Sequence, residues 1–202
     1  MNPLQKITNF FFELNEAKRT PRSGWQRLGI EFPESIAEHS CCCAQIAYII
    51  ALLEGVDAER AALLALFHDI GEIRTGDNNW VGRIYLDKRD TEARAMTAQM
   101  KSMPLNSALT ELLEEEFNKT TKEAIVAKDA DILELVIQSR AYIATGCKGA
   151  QIFIDSNTPN LKTETAKRLL PLIEKTNLED WWLQIPEIKE IAEKLYPQKD
   201  KN

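Results

Sequence analysis

The segment Lys122–Ala144 constrains the fold most. Its run Ile132, Leu133, Leu135, Val136 and Ile137 is apolar around much of a helical circumference, so the helix needs neighbours on several sides. It belongs deep in a helical bundle, with Asp131 set beside a buried face.

The rest of the chain supplies those neighbours. Pattern and punctuation predict further helices over 3–17, 35–53, 58–67, 88–101, 107–118, 164–175 and 186–195, and no segment alternates as a half-buried strand would. Asp57, Ser107, Thr121 and Thr163 stand where an N-cap acceptor satisfies free amides. Stretches over 20–33, 71–83 and 146–160 combine Gly or Pro with polar residues and read as turn-rich loops, where sites are usually assembled. With 202 residues, 44% of them hydrophobic, there is enough apolar material for one all-α domain over 1–202. Its core is expected over about 20–145, with helices over 160–196 packed on it and a frayed Lys-rich tail after Tyr196.

Composition excludes several classes. A net charge of −6 repels polyanions and leaves no footprint for nucleic acid, although local arginines could hold a small anion. The longest apolar run, 46–53, is shorter than the roughly 20 residues of a membrane span. Residues 1–12 lack a basic start and cleavage site, so no membrane association and a cytoplasmic location are expected. Cys41, Cys42 and Cys43 are consecutive on a helix, where neighbours point apart, and Cys147 stands alone with no C-x-x-C pair. Reduced, structural thiols are expected.

The chain has only two histidines, and His68 is followed directly by Asp69 at the end of the apolar helix running into Ile70-Gly71-Glu72. A lone histidine there is more often a core or capping residue. Adding His39 and Asp131 changes the balance, because imidazoles and carboxylates from several helices suit a borderline divalent ion. Glu72 lies three residues beyond Asp69, so a continuing helical turn brings both carboxylates to one side. Asp129 competes with Asp131 as the last acidic group, and the apolar neighbours of Asp131 imply the deeper placement for it.

The ordered set His39, His68-Asp69, Asp131 resembles the H…HD…D pattern of the HD-domain superfamily. Its flanks are similar to the 5′-deoxynucleotidase branch of that superfamily: Lys18-Arg19-Thr20-Pro21-Arg22-Ser23-Gly24-Trp25, Pro33-Glu34-Ser35-Ile36-Ala37-Glu38-His39, Thr75-Gly76-Asp77 and Lys128-Asp129-Ala130-Asp131-Ile132-Leu133-Glu134. The likeness runs over about 5–145. It implies a compact HD-domain helical bundle with one divalent ion at its centre, on His39, His68, Asp69 and Asp131. Its register Lys128-x-x-Asp131-x-x-Glu134 favours Asp131 over Asp129. Mn or Co is expected to support activity, with Zn, Fe, Ni and Mg as alternatives. The resemblance further implies that Glu72 and Asp77 support the hydrolytic water and phosphoryl transfer, that Arg22 and Trp25 meet phosphate and nucleoside, and that the chain is a homodimer. The function implied is hydrolysis of (deoxy)nucleoside 5′-monophosphates to nucleoside and phosphate. Alternatives are a deoxynucleoside triphosphate or cyclic-nucleotide phosphohydrolase and a silent nucleotide-binding module. For a triphosphate, Arg19, Arg22, Arg27, Arg74 and Arg83 are the candidate cations. Trp80 is either a pocket rim or a packing anchor.

Overall fold

The computed structural model describes residues 2–104 and 108–195, and among these there are helices and turns but no strand. The N-cap expected at Ser107 lies outside the described residues, as does the tail after Tyr196. Three helices make the centre: α1 (Ile36–Glu54), α2 (Ala58–Phe67) and α3 (Lys122–Ala144). Each starts on a capping side chain. Ser35 Oγ accepts from Glu38 N while Glu38 Oε2 accepts from Ser35 N, a reciprocal box that fixes the first turn of α1. Asp57 caps α2 and Thr121 caps α3. Gly55, at φ 70°, ends α1 in the left-handed region that glycine enters without a Cβ penalty.

Small residues at the crossings let the three helices approach closely. Cys43, Ala47 and Ala51 of α1, Ala61 and Ala65 of α2, and Ala127 and Ala130 of α3 are buried in one cluster. As a whole helix α1 is long and apolar enough to cross a membrane, with a mean hydropathy of 1.6, which the short run at 46–53 understates. In this fold it is a core helix, packed on α2 and α3, with His39 on its buried face. A second cluster, built from Phe10, Ile70, Met96, Met100, Met103 and Leu113, supports the turn that follows α2.

The turn-rich stretches differ from expectation, because each contains short helix: α4 (Ser23–Arg27), α5 (Glu72–Thr75), α6 (Trp80–Tyr85) and α7 (Gln151–Asn157). Helices of four to seven residues show too few turns to reveal a period, and their Gly and Pro mark only their edges. Towards the C-terminus α8 (Glu164–Lys175) packs on α3 and α1. Beyond it, α9 (Asp180–Leu183) and α10 (Pro186–Leu195) make their main contacts with each other.

Candidate metal centre

Three separate elements bring the predicted residues together. His39 sits in the first turn of α1, His68 and Asp69 follow the end of α2, and Asp131 lies midway along α3. His39 Nδ1 donates to Glu134 at 2.6 Å, and His68 Nδ1 donates to the Ala65 carbonyl at 2.7 Å. With both Nδ1 atoms so engaged, each ring turns Nε2 toward the two aspartates, where it can ligate an ion once that nitrogen gives up its proton. His39 Nε2 is 3.2 Å from Asp131 Oδ1 and 3.7 Å from Asp69 Oδ2. His68 Nε2 is 3.2 Å from Asp69 Oδ2 and 3.8 Å from Asp131 Oδ1. The two rings are 5.2 Å apart between centroids.

This set fits a divalent cation. His68 Nε2 is a buried nitrogen with no hydrogen-bond partner among the described residues, and a free imidazole lone pair in such a place costs stability unless something occupies it. Asp69, Asp131, Glu72 and Asp77 all converge there, and protein cations partly balance them. Arg22 lies 2.7 Å from Asp69, 3.8 Å from Glu72 and 4.0 Å from Asp77. Lys128 is 2.6 Å from Asp131, and Lys88 is 2.7 Å from Glu72 Oε1. Burial alone would raise the Asp69 carboxyl, but His68 and Arg22 hold it well below the usual carboxylate range. For Asp131, burial is likewise outweighed by Lys128 and by His39. Both aspartates are therefore ionised and ready to ligate.

Glu72 is different. It is 1% exposed, and burial together with the Asp69 charge pushes its carboxyl well above the ordinary value. Its Oε2 is buried and has no hydrogen-bond partner among the described residues, while Lys88 fixes Oε1. Asp77 Oδ2 accepts from the Ser23 amide at 2.6 Å and from Ser23 Oγ at 3.1 Å. That bond ties the loop carrying Arg22 to the loop after α5.

One expectation needs correction. Asp129 is the deeper of the rival aspartates, at 0% exposure, yet it faces away from the histidines and accepts from Lys162 N, Thr163 N and Thr163 Oγ1 at the start of α8. Asp131 reaches the cluster through helical phase rather than depth. Trp25 is 3% exposed, with Nε1 donating to Glu34 at 2.7 Å and its ring packed edge-on against Tyr142 and Phe153. It forms a back wall and offers little free face.

Several neighbours were not singled out from the sequence. Glu134 and Lys128 flank Asp131 by three residues along α3, and Lys88 comes from the separate helix Lys88–Ser102. Glu34 lies beside Glu134, and burial with that neighbouring charge raises its carboxyl to about 7. Cys43, one turn after His39, has its sulfur 3.7 Å from Nδ1 and 3.6 Å from Nε2 of that ring. Near-equal distances place the sulfur over the ring rather than in line with one nitrogen. Burial pushes this thiol up to about 12, and its sulfur lies within 4.8 Å of ligand atoms of His39, His68 and Asp131. The His39–Cys43 and Asp131–Glu134 spacings were the visible signals.

The cluster floors a cavity of about 950 Å³ whose walls carry Arg22, Trp25, Trp80, Lys88, Lys128 and Phe153. Of the five arginines considered for a polyphosphate, Arg22 and Arg83 line it, whereas Arg19 pairs with Glu16, Arg74 pairs with Glu13, and Arg27 is exposed elsewhere.

An all-α bundle in which two histidines and two aspartates from different helices meet beneath a cavity defines a class of helical metal-site proteins. Residues 14–174 match the HD-domain family model, and the chain belongs to the HD-domain family of metal-dependent phosphohydrolases. It is 30% identical over 143 residues to the 5′-deoxynucleotidase HDDC2 of Bos taurus, covering 68% of each chain. It is 33% identical over 144 residues to the 5′-deoxynucleotidase hdd1 of Schizosaccharomyces pombe, covering 67% of this chain and 72% of that one. Among solved structures, a conserved hypothetical protein from Pyrococcus furiosus is similar with a TM-score of 0.72 at 30% identity, over 84% of this chain and 99% of the other.

Proposed function

We propose that the protein hydrolyses nucleoside 5′-monophosphates, preferably deoxy, to nucleoside and orthophosphate. The observation that carries this reading is the buried Glu72 carboxyl, with Oε1 anchored by Lys88 and Oε2 free of hydrogen bonds among the described residues and 3.8 Å from Arg22, beside the His39–His68–Asp69–Asp131 cluster. The names of the relatives from Bos taurus and Schizosaccharomyces pombe support it.

His39, His68, Asp69 and Asp131 would hold the ion, with Mn or Co the metals expected to support turnover. Bound there, a divalent ion acidifies water and neutralises phosphate charge. Arg22 presents a planar fork suited to phosphate oxygens, exchanging its Asp69 partner for substrate. Glu72 Oε2 takes the proton of the attacking water as the new oxygen–phosphorus bond forms. The bond from phosphorus to the 5′ oxygen breaks, that oxygen takes a proton from solvent, and Glu72 returns its own to solvent, so one water is consumed for each nucleoside and orthophosphate released. Asp77, with Oδ2 held by Ser23, keeps Oδ1 on the Arg22 side to support phosphoryl transfer. The chain is read as a homodimer, for which exposed Ile49, Leu52 and Leu53 supply apolar surface.

The test is orthophosphate release by metal-stripped protein, with and without added Mn or Co, on deoxy- and ribonucleoside monophosphates and deoxynucleoside triphosphates. Release from monophosphates that needs metal and vanishes in Asp69→Ala is the expected result. Reaction of triphosphates alone would sink the monophosphate reading, and silence on every substrate would sink hydrolysis of nucleotides.

A further inference from the structure

Trp25 lines this cavity but is 3% exposed and closely packed, so it offers a nucleoside little ring surface. Its indole nitrogen is engaged by Glu34, and its ring meets Tyr142 at 5.0 Å and Phe153 at 4.8 Å between centroids, both edge-on. Phe153 also meets Trp80, at 5.3 Å between centroids and an interplanar angle of 50°. Trp80 ends this row. It is 41% exposed and lines the same cavity as His68, Asp69 and Asp131. A tryptophan held against one ring and 41% exposed at a cavity wall retains ring surface on which a flat ligand can stack.

Its placement is specified by the rest of the site. Trp80 opens α6, whose N-cap Asn79 accepts from Val81 N and Gly82 N through Oδ1 and donates through Nδ2 to Ser23 Oγ at 3.1 Å. The same Ser23 donates its amide to Asp77 and directly follows Arg22. One serine therefore couples the guanidinium that faces the metal cluster to the helix that carries the open indole. Asn78, Asn79 and Asn157 line the same cavity. A ligand with an anionic end at Arg22 and a flat, polar-edged heterocycle at the other end matches both.

We propose that Trp80, backed by Phe153, is the nucleobase platform of this site and a specificity-determining residue for it. The inference rests on the nucleotidase reading and adds the requirement that the substrate carry a base. Stacking tolerates every base and is stronger for larger rings, so purine nucleotides are favoured over pyrimidine ones without strict selection.

Trp80 is half-open to solvent, so replacing it leaves the core clusters untouched. On metal-loaded full-length protein, calorimetry with deoxyadenosine, which carries no phosphate to hydrolyse, should show about tenfold weaker binding for Trp80→Ala and recovery in Trp80→Phe. In turnover, the ratio of KM for deoxyadenosine monophosphate to KM for deoxyribose 5-phosphate, which lacks a base, should rise about tenfold with kcat little changed. If no phosphomonoester is turned over but deoxyadenosine binding still depends on Trp80, the platform stands and the nucleotidase reading falls. Equal loss for both phosphates, deoxyadenosine binding indifferent to Trp80, or no deoxyadenosine binding by the unsubstituted protein would each overturn the proposal.

Discussion

Glu134 accepts the Nδ1 proton of His39 inside the bundle, so the tautomer and orientation of that ring depend on a residue that points at neither cavity nor solvent. Partners of this kind raise the basicity of the ligating nitrogen and hold its direction. Glu134→Gln should therefore weaken metal binding about 10–100-fold. A competition titration with a chromogenic chelator reads this directly, and an unaltered affinity would reduce Glu134 to packing. The histidines and His68-Asp69 were legible in the sequence because they are rare and adjacent. Glu134 was visible only as a neighbour of Asp131, since nothing in a one-dimensional string tells which glutamate faces an imidazole 95 residues away.

At the scale of elements, α3 carries two aspartates two residues apart, and about 200° of helical rotation separates them. One phase places Lys128, Asp131 and Glu134 toward the histidines. The other sends Asp129 to the opening turn of α8, where it satisfies two backbone amides and a hydroxyl. Depth in the core was thus the wrong criterion, because a buried carboxylate can be fully occupied as a cap. Asp129→Ala should cost about 1.5–3 kcal/mol, the range for hydrogen bonds to a charged group, and leave metal binding at the cluster intact. Urea unfolding monitored beside a metal titration separates the two effects, and a parallel loss of both would place Asp129 in the site. The long helices were readable from period and caps, whereas α4 to α7 are too short to carry a period and are held by tertiary bonds such as Asp77 to Ser23.

For the whole molecule, the cluster is a store of negative charge closed off by protein cations. Arg22, Lys88 and Lys128 each lean on a carboxylate of the site, and burial limits screening most for the Arg22–Asp69 pair and least for Lys128, whose side chain is 43% exposed. An ion that binds only the folded arrangement adds stability by mass action, about 2.7 kcal/mol at a hundredfold excess over its dissociation constant. For a chain of this length that corresponds to a rise in Tm of about 5–10 °C. Thermal scans with excess chelator and with added Mn should show it, and Asp131→Asn should abolish it. A Tm indifferent to metal in the unsubstituted protein would detach the ion from the folded cluster.

Local chemistry determined much on its own: the all-α class, the long helices and their caps, and His39 and His68-Asp69 as candidates for a metal. These follow from apolar periodicity, from hydroxyl and carboxylate acceptors at helix starts, and from the scarcity of histidine, all of which act within a few residues. Only the tertiary structure decided the rest. It aimed both Nε2 atoms inward, divided Asp129 from Asp131, brought Lys88 to Glu72, closed the ring of Trp25 and left that of Trp80 open. Those outcomes depend on which surfaces of distant helices meet, and helical phase, crossing geometry and long-range hydrogen bonds are set only when the whole chain packs.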